Sequence, residues 1–302
     1  MGRSEHNVTV GFRSHLNMKS PVFILGTQRS GTTLLTRALS AHPNIFIKNE
    51  LQVQRIFTPG CSKSDILGSI KLQIEESYNT SIEQLFEKEK TQTWGLKDPE
   101  LTNYIPLLEQ FIPESKFIII VRDGRGVVNS YKHNKWGLGT TAYTGALRWQ
   151  REVDEQLDFM KRYPESVILL RYEDLVTNME ECLKKACAHI GESFLPEMLN
   201  YHKESKFIRE TRENVHTNKK PDIELSKKWR NELTTHEIDI IETVTKDLLQ
   251  KLEYTLIGEQ VKLGKLEILY YKLHQLIIGE FQLQYRWRRS QFKAKFKKAK
   301  SK

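Results

Sequence analysis

Val22-Phe23-Ile24-Leu25-Gly26-Thr27-Gln28-Arg29-Ser30-Gly31-Thr32-Thr33-Leu34-Leu35 is the stretch that decides how the whole chain is read. Its first four residues are uniformly apolar, follow Pro21 and stop at Gly26, the pattern of a strand buried on both faces. Leu34, Leu35, Ala38 and Leu39 then recur at helical spacing until Pro43 stops the run. A strand, a small-residue turn and a helix in that order aim backbone N–H groups and a helix N-terminus at one point, which makes an anion site. Gly26 and Gly31 have the G-x-x-x-x-G spacing of a nucleotide-binding loop, yet Thr32 and Thr33 stand where such a loop carries Lys and Ser/Thr. The cation is Arg29, inside the turn. The loop therefore suits a phosphate-type anion without a triphosphate–magnesium arrangement.

The same pattern recurs outward. Ile45-Phe46-Ile47 leads to Glu50, Trp94-Gly95-Leu96 to Lys97-Asp98-Pro99, Phe117–Val121 to Arg122-Asp123-Gly124, and Val167–Leu170 to Arg171-Tyr172-Glu173-Asp174. Helical spacing falls between them: weakly over 51–92, then at Tyr104, Leu107, Leu108 and Phe111, through Val127, Val128 and Tyr131, over 143–162, near 178–190 and over 234–252. Residues 201–230 are polar and basic and read as a long loop or lid. Short apolar strands alternating with helices predict an α/β fold of three layers, P-loop-like, with a central parallel sheet flanked by helices. Sites in such sheets lie outside the carboxyl ends of the strands. Arg29, Glu50, Lys97, Arg122 and Tyr172 all follow a strand directly and so share that end. The expected organisation is a frayed segment 1–20, one domain over 21–257, and an amphipathic helix with a basic tail over 258–302.

With 38% hydrophobic and 28% charged residues in 302, the chain can bury a core. The net charge of +9 suggests nucleic acid, but nine Lys/Arg and no acid lie between Arg286 and Lys302. Removing those nine from 47 basic residues leaves 38, against 38 acidic ones, so the body is neutral and a nucleic-acid partner is not expected. Cys61, Cys182 and Cys187 fit neither a disulfide framework nor a zinc site, and no metal is expected. The chain shows no long apolar run and no apolar signal core, so the expected location is cytoplasmic.

Gly26–Leu35 resembles the 5′-phosphosulfate loop of sulfotransferases that use 3′-phosphoadenosine 5′-phosphosulfate (PAPS), and Val121-Arg122-Asp123-Gly124-Arg125-Gly126-Val127-Val128-Asn129-Ser130 resembles their 3′-phosphate segment. The order Arg-Ser-Gly-Thr-Thr, His42-Pro43, Glu50, Lys97-Asp98-Pro99, Arg122–Arg125 is similar to the branch containing the tyrosylprotein sulfotransferases. Tyr172-Glu173-Asp174-Leu175 and Ser226-Lys227-Lys228-Trp229 resemble later segments of that branch. The resemblance covers about residues 21–230. It implies that Gln28, Arg29, Ser30, Gly31, Thr32 and Thr33 cradle the 5′-phosphate, that Arg122 and Ser130 bind the 3′-phosphate, and that Tyr172 and Lys227 lie on the adenosine side. Lys97 and Arg29 would stabilise charge on the leaving group, with Glu50 as general base. His42 reads as structural, and His133 and His216 are alternative bases. Lys97 could instead pair with Asp98 at the surface, and Arg122 with Asp123 or Asp174.

Leu263, Leu266, Tyr270, Leu273, Ile277, Phe281 and Tyr285 form a helical stripe running into the basic tail. This predicts either an anionic membrane surface as partner or a helix docked on the core. Two rival functions remain: a nucleotide-dependent kinase with Asp123 as magnesium ligand, and a non-catalytic nucleotide-binding scaffold. The acceptor carries a hydroxyl, on carbohydrate, lipid, phenol or tyrosine.

Overall fold

The structure is a computed structural model that describes residues 19–203 and 222–289. Five parallel strands, β1 (Val22–Leu25), β2 (Ile45–Asn49), β3 (Thr93–Lys97), β4 (Lys116–Val121) and β5 (Val167–Arg171), lie in the order β2-β3-β1-β4-β5. Each was visible in the sequence as an apolar run, because helices cover both faces of the sheet and most strand positions are buried, fully in β1 and β3 and least in the edge strand β5. Alternate residues point to opposite layers. Phe23, Leu25, Phe46, Leu96, Phe117 and Ile119 join one core, while Val22, Ile24, Ile45, Ile47, Ile118 and Ile120 join the other.

The helices are α1 (Thr32–Ser40), α2 (Val53–Ile56), α3 (Lys63–Tyr78), α4 (Ile82–Lys88), α5 (Ile105–Phe111), α6 (Gly124–Asn134), α7 (Ala142–Arg162), α8 (Tyr172–Thr177), α9 (Met179–Ile190), α10 (Ile223–Lys227), α11 (Trp229–Glu232), α12 (Thr235–Lys251) and α13 (Lys265–His274). The weak patterns over 51–92 resolve into α2, α3 and α4. The capping box of Ser62 and Asp65 and the cap of Ser81 fix the starts of α3 and α4, where apolar periodicity is poor. The expected loop over 201–230 contains α10 and α11, and its residues 204–221, including His216, lie outside the described residues. Segments 1–18 and 290–302 also lie outside them. Among the described residues no helix is long and apolar enough to cross a membrane.

From β1 the chain runs to β2 on one side of the sheet, and from β3 it crosses β1 to reach β4 on the other. The crevice at such a reversal lies beyond the carboxyl end of β1, where the Gly26–Gly31 turn stands.

Candidate active site

The turn after β1 enters α1 through Gly31, which sits at φ 100° and provides no side-chain cap. A Cβ there would lie 2.3 Å from Cδ2 of Tyr172, so only glycine fits beneath that ring. Ser30 N–H donates to Thr27 O at 3.0 Å, and the intrahelical bonds begin with Leu35 N–H donating to Gly31 O. The N–H groups of the first turn of α1 thus face the mouth of the crevice, where a phosphate-type anion is favoured. Arg29, also left-handed at φ 74°, bonds Ser130 Oγ through Nε at 3.0 Å. The first signature loop and the second, which lies on α6, are joined by that bond.

Arg122, at the end of β4, is held on all sides. Its carbonyl accepts from Trp149 Nε1 at 3.1 Å, its Nη1 and Nη2 donate to Arg29 O and Leu225 O at 3.3 Å, and its guanidinium stacks on Tyr172 at 4.6 Å. Among the described residues its Nε is buried with no hydrogen-bond partner. The alternative pairing with Asp123 is not formed: Asp123 caps α6 and binds Arg125, which also reaches Glu242. That buried pair lies 117 residues apart in sequence. Asp123 is therefore spent on structure, which counts against a magnesium role in a kinase. Glu173, whose carboxyl is held above its usual range by burial, accepts from Asp123 N–H and Tyr254 and anchors the same loop.

Two cavities meet at this point. One, of about 430 Å³, is lined by Arg29, Thr32, Thr33, Arg122, Ser130 and Tyr172, with Asn129, His133, Lys228 and Trp229 opposite. The other, of about 690 Å³, also touches Gln28, Arg29, Thr32 and Thr33, and holds Glu50 and Lys97. Lys97 is fully buried and donates to Glu50 Oε1 at 2.7 Å, while Glu50 N–H donates to Lys97 O at 2.8 Å. The surface pair of Lys97 with Asp98 is not what forms. Glu50 is left-handed at φ 53°, so Arg29 and Glu50 are both non-glycine residues in a costly conformation. Asp98 is buried beside them, and desolvation pushes its carboxyl up to about 6 although Glu100 N–H bonds it.

Lys227 stands outside both cavities, half-exposed and 3.6 Å from Glu224, whereas Lys228 lines the first. His42 is buried and accepts from Asn44 N–H, a local structural bond. His133 lines the first cavity near Glu232, away from Glu50. Sequence reasoning missed Asn129, Lys228, Trp136 and Arg286. Trp136 lies between the guanidiniums of Arg29, at 5.5 Å, and Arg286, at 4.6 Å, in the wall of the second cavity.

A model of the "Sulfotransferase family" matches residues 21–197, more than half of the chain. The chain belongs to the sulfotransferase family. Protein-tyrosine sulfotransferase 1 of Danio rerio is 27% identical over 198 residues, covering 60% of this sulfotransferase and 56% of that protein. Among solved structures, the sulfotransferase domain from the curacin biosynthetic pathway matches with a TM-score of 0.61 at 22% identity, over 80% of this chain and 99% of that one. Mouse sulfotransferase SULT7A1 complexed with PAP matches with a TM-score of 0.50 at 14% identity, over 78% and 85%. These two likenesses concern the fold. The family match ends at residue 197, so Lys228, Trp229, Leu283 and Arg286, which close the two cavities of this sulfotransferase, come from beyond it.

Proposed function

We propose that the protein transfers a sulfuryl group from PAPS to a hydroxyl acceptor, with Glu50 as general base. The observation that carries this reading is the Lys97–Glu50 pair on the floor of one cavity, next to an arginine-lined cavity that shares the Arg29–Thr33 turn. The residues present suit a doubly phosphorylated nucleotide. Arg122 Nε, buried with no hydrogen-bond partner among the described residues, is a donor left for an anion, and Arg29, Thr32 and Thr33 line both cavities. PAPS supplies the sulfuryl group and an adenosine bisphosphate as leaving group.

The residues would then divide the work. Arg122 and Ser130 hold the 3′-phosphate, Tyr172 stands on the adenosine side, and the turn from Gln28 to Thr33 holds the 5′-phosphate through N–H groups other than that of Ser30, which bonds Thr27 O. Glu50 accepts the acceptor's proton as the new oxygen–sulfur bond forms. Lys97 and Arg29 neutralise the charge left on the phosphate oxygen as the old bond breaks in line with it. The acceptor enters the larger cavity, and carbohydrate, lipid, phenol and tyrosine hydroxyls all fit that chemistry.

Radiolabelled sulfate transfer with a panel of such acceptors tests the reading, together with thermal shift. The protein should be stabilised by 3′,5′-ADP without magnesium, and much less by ATP. Glu50→Gln should lower kcat by about 10²–10⁴-fold with 3′,5′-ADP affinity nearly unchanged. Wild-type turnover in that variant would remove Glu50 from the role. Stabilisation by ATP and magnesium alone would favour the kinase reading instead.

A further inference from the structure

The helix that ends the described chain is docked the wrong way round for a soluble protein. It runs from α13 through a π-helical turn, Gln275–Gly279, and on to residue 289. Its body-facing side is largely polar. Gln275 donates to Gly137 O at 2.7 Å and accepts from Thr140 N–H at 2.8 Å, Gln282 accepts from Gly137 N–H, and His274 bonds the Thr140 hydroxyl. The approach is close: a Cβ on Gly137 would lie 2.5 Å from Gly279 O. The opposite side carries Leu266, Leu269, Leu273, Leu276, Ile277 and Phe281, each between 46% and 82% exposed. An apolar stripe of this length on an otherwise polar surface marks a contact surface.

The occupant follows from what stands at its end. Tyr285 and Trp287 are exposed beside Arg286, Arg288 and Arg289. From Arg286 onward the sequence holds nine basic residues and no acidic one. Aromatic rings with an apolar body and a polar tip, next to unbalanced cations, are the chemistry of a lipid headgroup layer. The core of a protein–protein interface is instead depleted of charge. We propose that this helix seats its apolar face on an anionic phospholipid surface, lying on the membrane rather than crossing it. Leu283 and Arg286 of the same helix line the cavity that holds Glu50 and Lys97, so the helix that is seated also walls that cavity. The seating does not depend on the sulfuryl-transfer reading.

Flotation of the full chain with phosphatidylcholine vesicles, with and without phosphatidylserine, tests the seating in the absence of any donor or acceptor. The wild type should float with the phosphatidylserine vesicles at low salt and less at high salt. Leu273→Glu/Ile277→Glu should lower the partition coefficient at least about tenfold, since both side chains insert, while retaining its thermal midpoint. Arg288→Glu/Arg289→Glu should abolish the preference for the anionic vesicles. As an independent readout, an environment-sensitive dye on Leu273→Cys should shift to the blue only with the anionic vesicles. The proposal is overturned if the wild type stays with the soluble fraction. It is also overturned if the double glutamate variant floats like the wild type. A dimer in light scattering that Leu273→Glu/Ile277→Glu dissociates would mean that a second copy covers the face. Failure of sulfate transfer with normal flotation would overturn the enzymatic reading and leave the seating intact.

Discussion

Gly31→Ala probes both signature loops at once. The native backbone at this position has φ 100°, a region that costs an L-residue about 1–2 kcal/mol. The new Cβ would lie 2.3 Å from Tyr172 Cδ2, far inside contact distance, so the ring must turn away. Turning it away removes the stack on Arg122, now 4.6 Å, worth about 0.5–2 kcal/mol in a partly buried setting. The two losses together come to about 1.5–4 kcal/mol, or roughly 3–16 °C in thermal midpoint for a domain of this size. Arg122 also loses its seat, and one charge-assisted bond to a phosphate is worth about 1.5–3 kcal/mol. Affinity for 3′,5′-ADP should fall by about 10–150-fold, as measured by isothermal titration. The Tyr172→Ala background separates the contributions: without the ring, Gly31→Ala should be destabilised only by its backbone conformation, so the two changes are less than additive. A Gly31→Ala protein with wild-type midpoint and affinity would refute the placement of Tyr172 between Gly31 and Arg122.

Arg122→Ala should weaken 3′,5′-ADP by about tenfold or more in titration, whereas Lys227→Ala should leave it unchanged, because Lys227 lies outside both cavities. Glu242→Ala leaves Arg125 buried with one carboxylate in place of two and should destabilise by about 3–5 kcal/mol in urea unfolding. Asp98, with a folded-state pKa of about 6 against an ordinary 3.8, binds its proton more tightly folded than unfolded. Its contribution to stability is therefore full below pH 3.8 and is lost as pH rises through 6, a fall of about 3 kcal/mol. Asp98→Asn keeps an oxygen to cap the Glu100 N–H and should remove that fall, making the variant more stable than wild type at pH 8 and equal to it near pH 4 in denaturant titrations.

The strands and their order of site residues were legible because a sheet covered on both faces demands uninterrupted apolar runs, and a charged residue just past each run must lie at the carboxyl end. The partners of those residues were not legible. Lys97 stands beside Asp98 in sequence but bonds Glu50 across the β2–β3 register, in which Asn49 lies opposite Lys97. Arg122 stands beside Asp123, which is claimed by Arg125, itself held by Glu242 through a contact between α6 and α12. Choosing between Lys227 and Lys228 requires the phase of a five-residue helix, and α10 has too few apolar positions to show one. The stripe over 263–285 was legible as amphipathic, yet not its orientation, since that depends on glutamines and a histidine bonding the backbone and side chain of a loop more than a hundred residues away.

The Lys97–Glu50 bond bears on the order of events under the proposed chemistry. Lys97 is fully buried, so it leaves Glu50 only for another anion within reach, and the Arg29–Thr33 turn is where such an anion would sit. Glu50 is the more exposed partner and faces the cavity in which the acceptor would bind. Glu50 would thus be released as Lys97 turns to the phosphate, coupling occupation of the first cavity to events in the second. Glu50's left-handed backbone fits this role. It is held there by its N–H bond to Lys97 O, which keeps the carboxylate against the lysine at the edge of the cavity where the acceptor would bind.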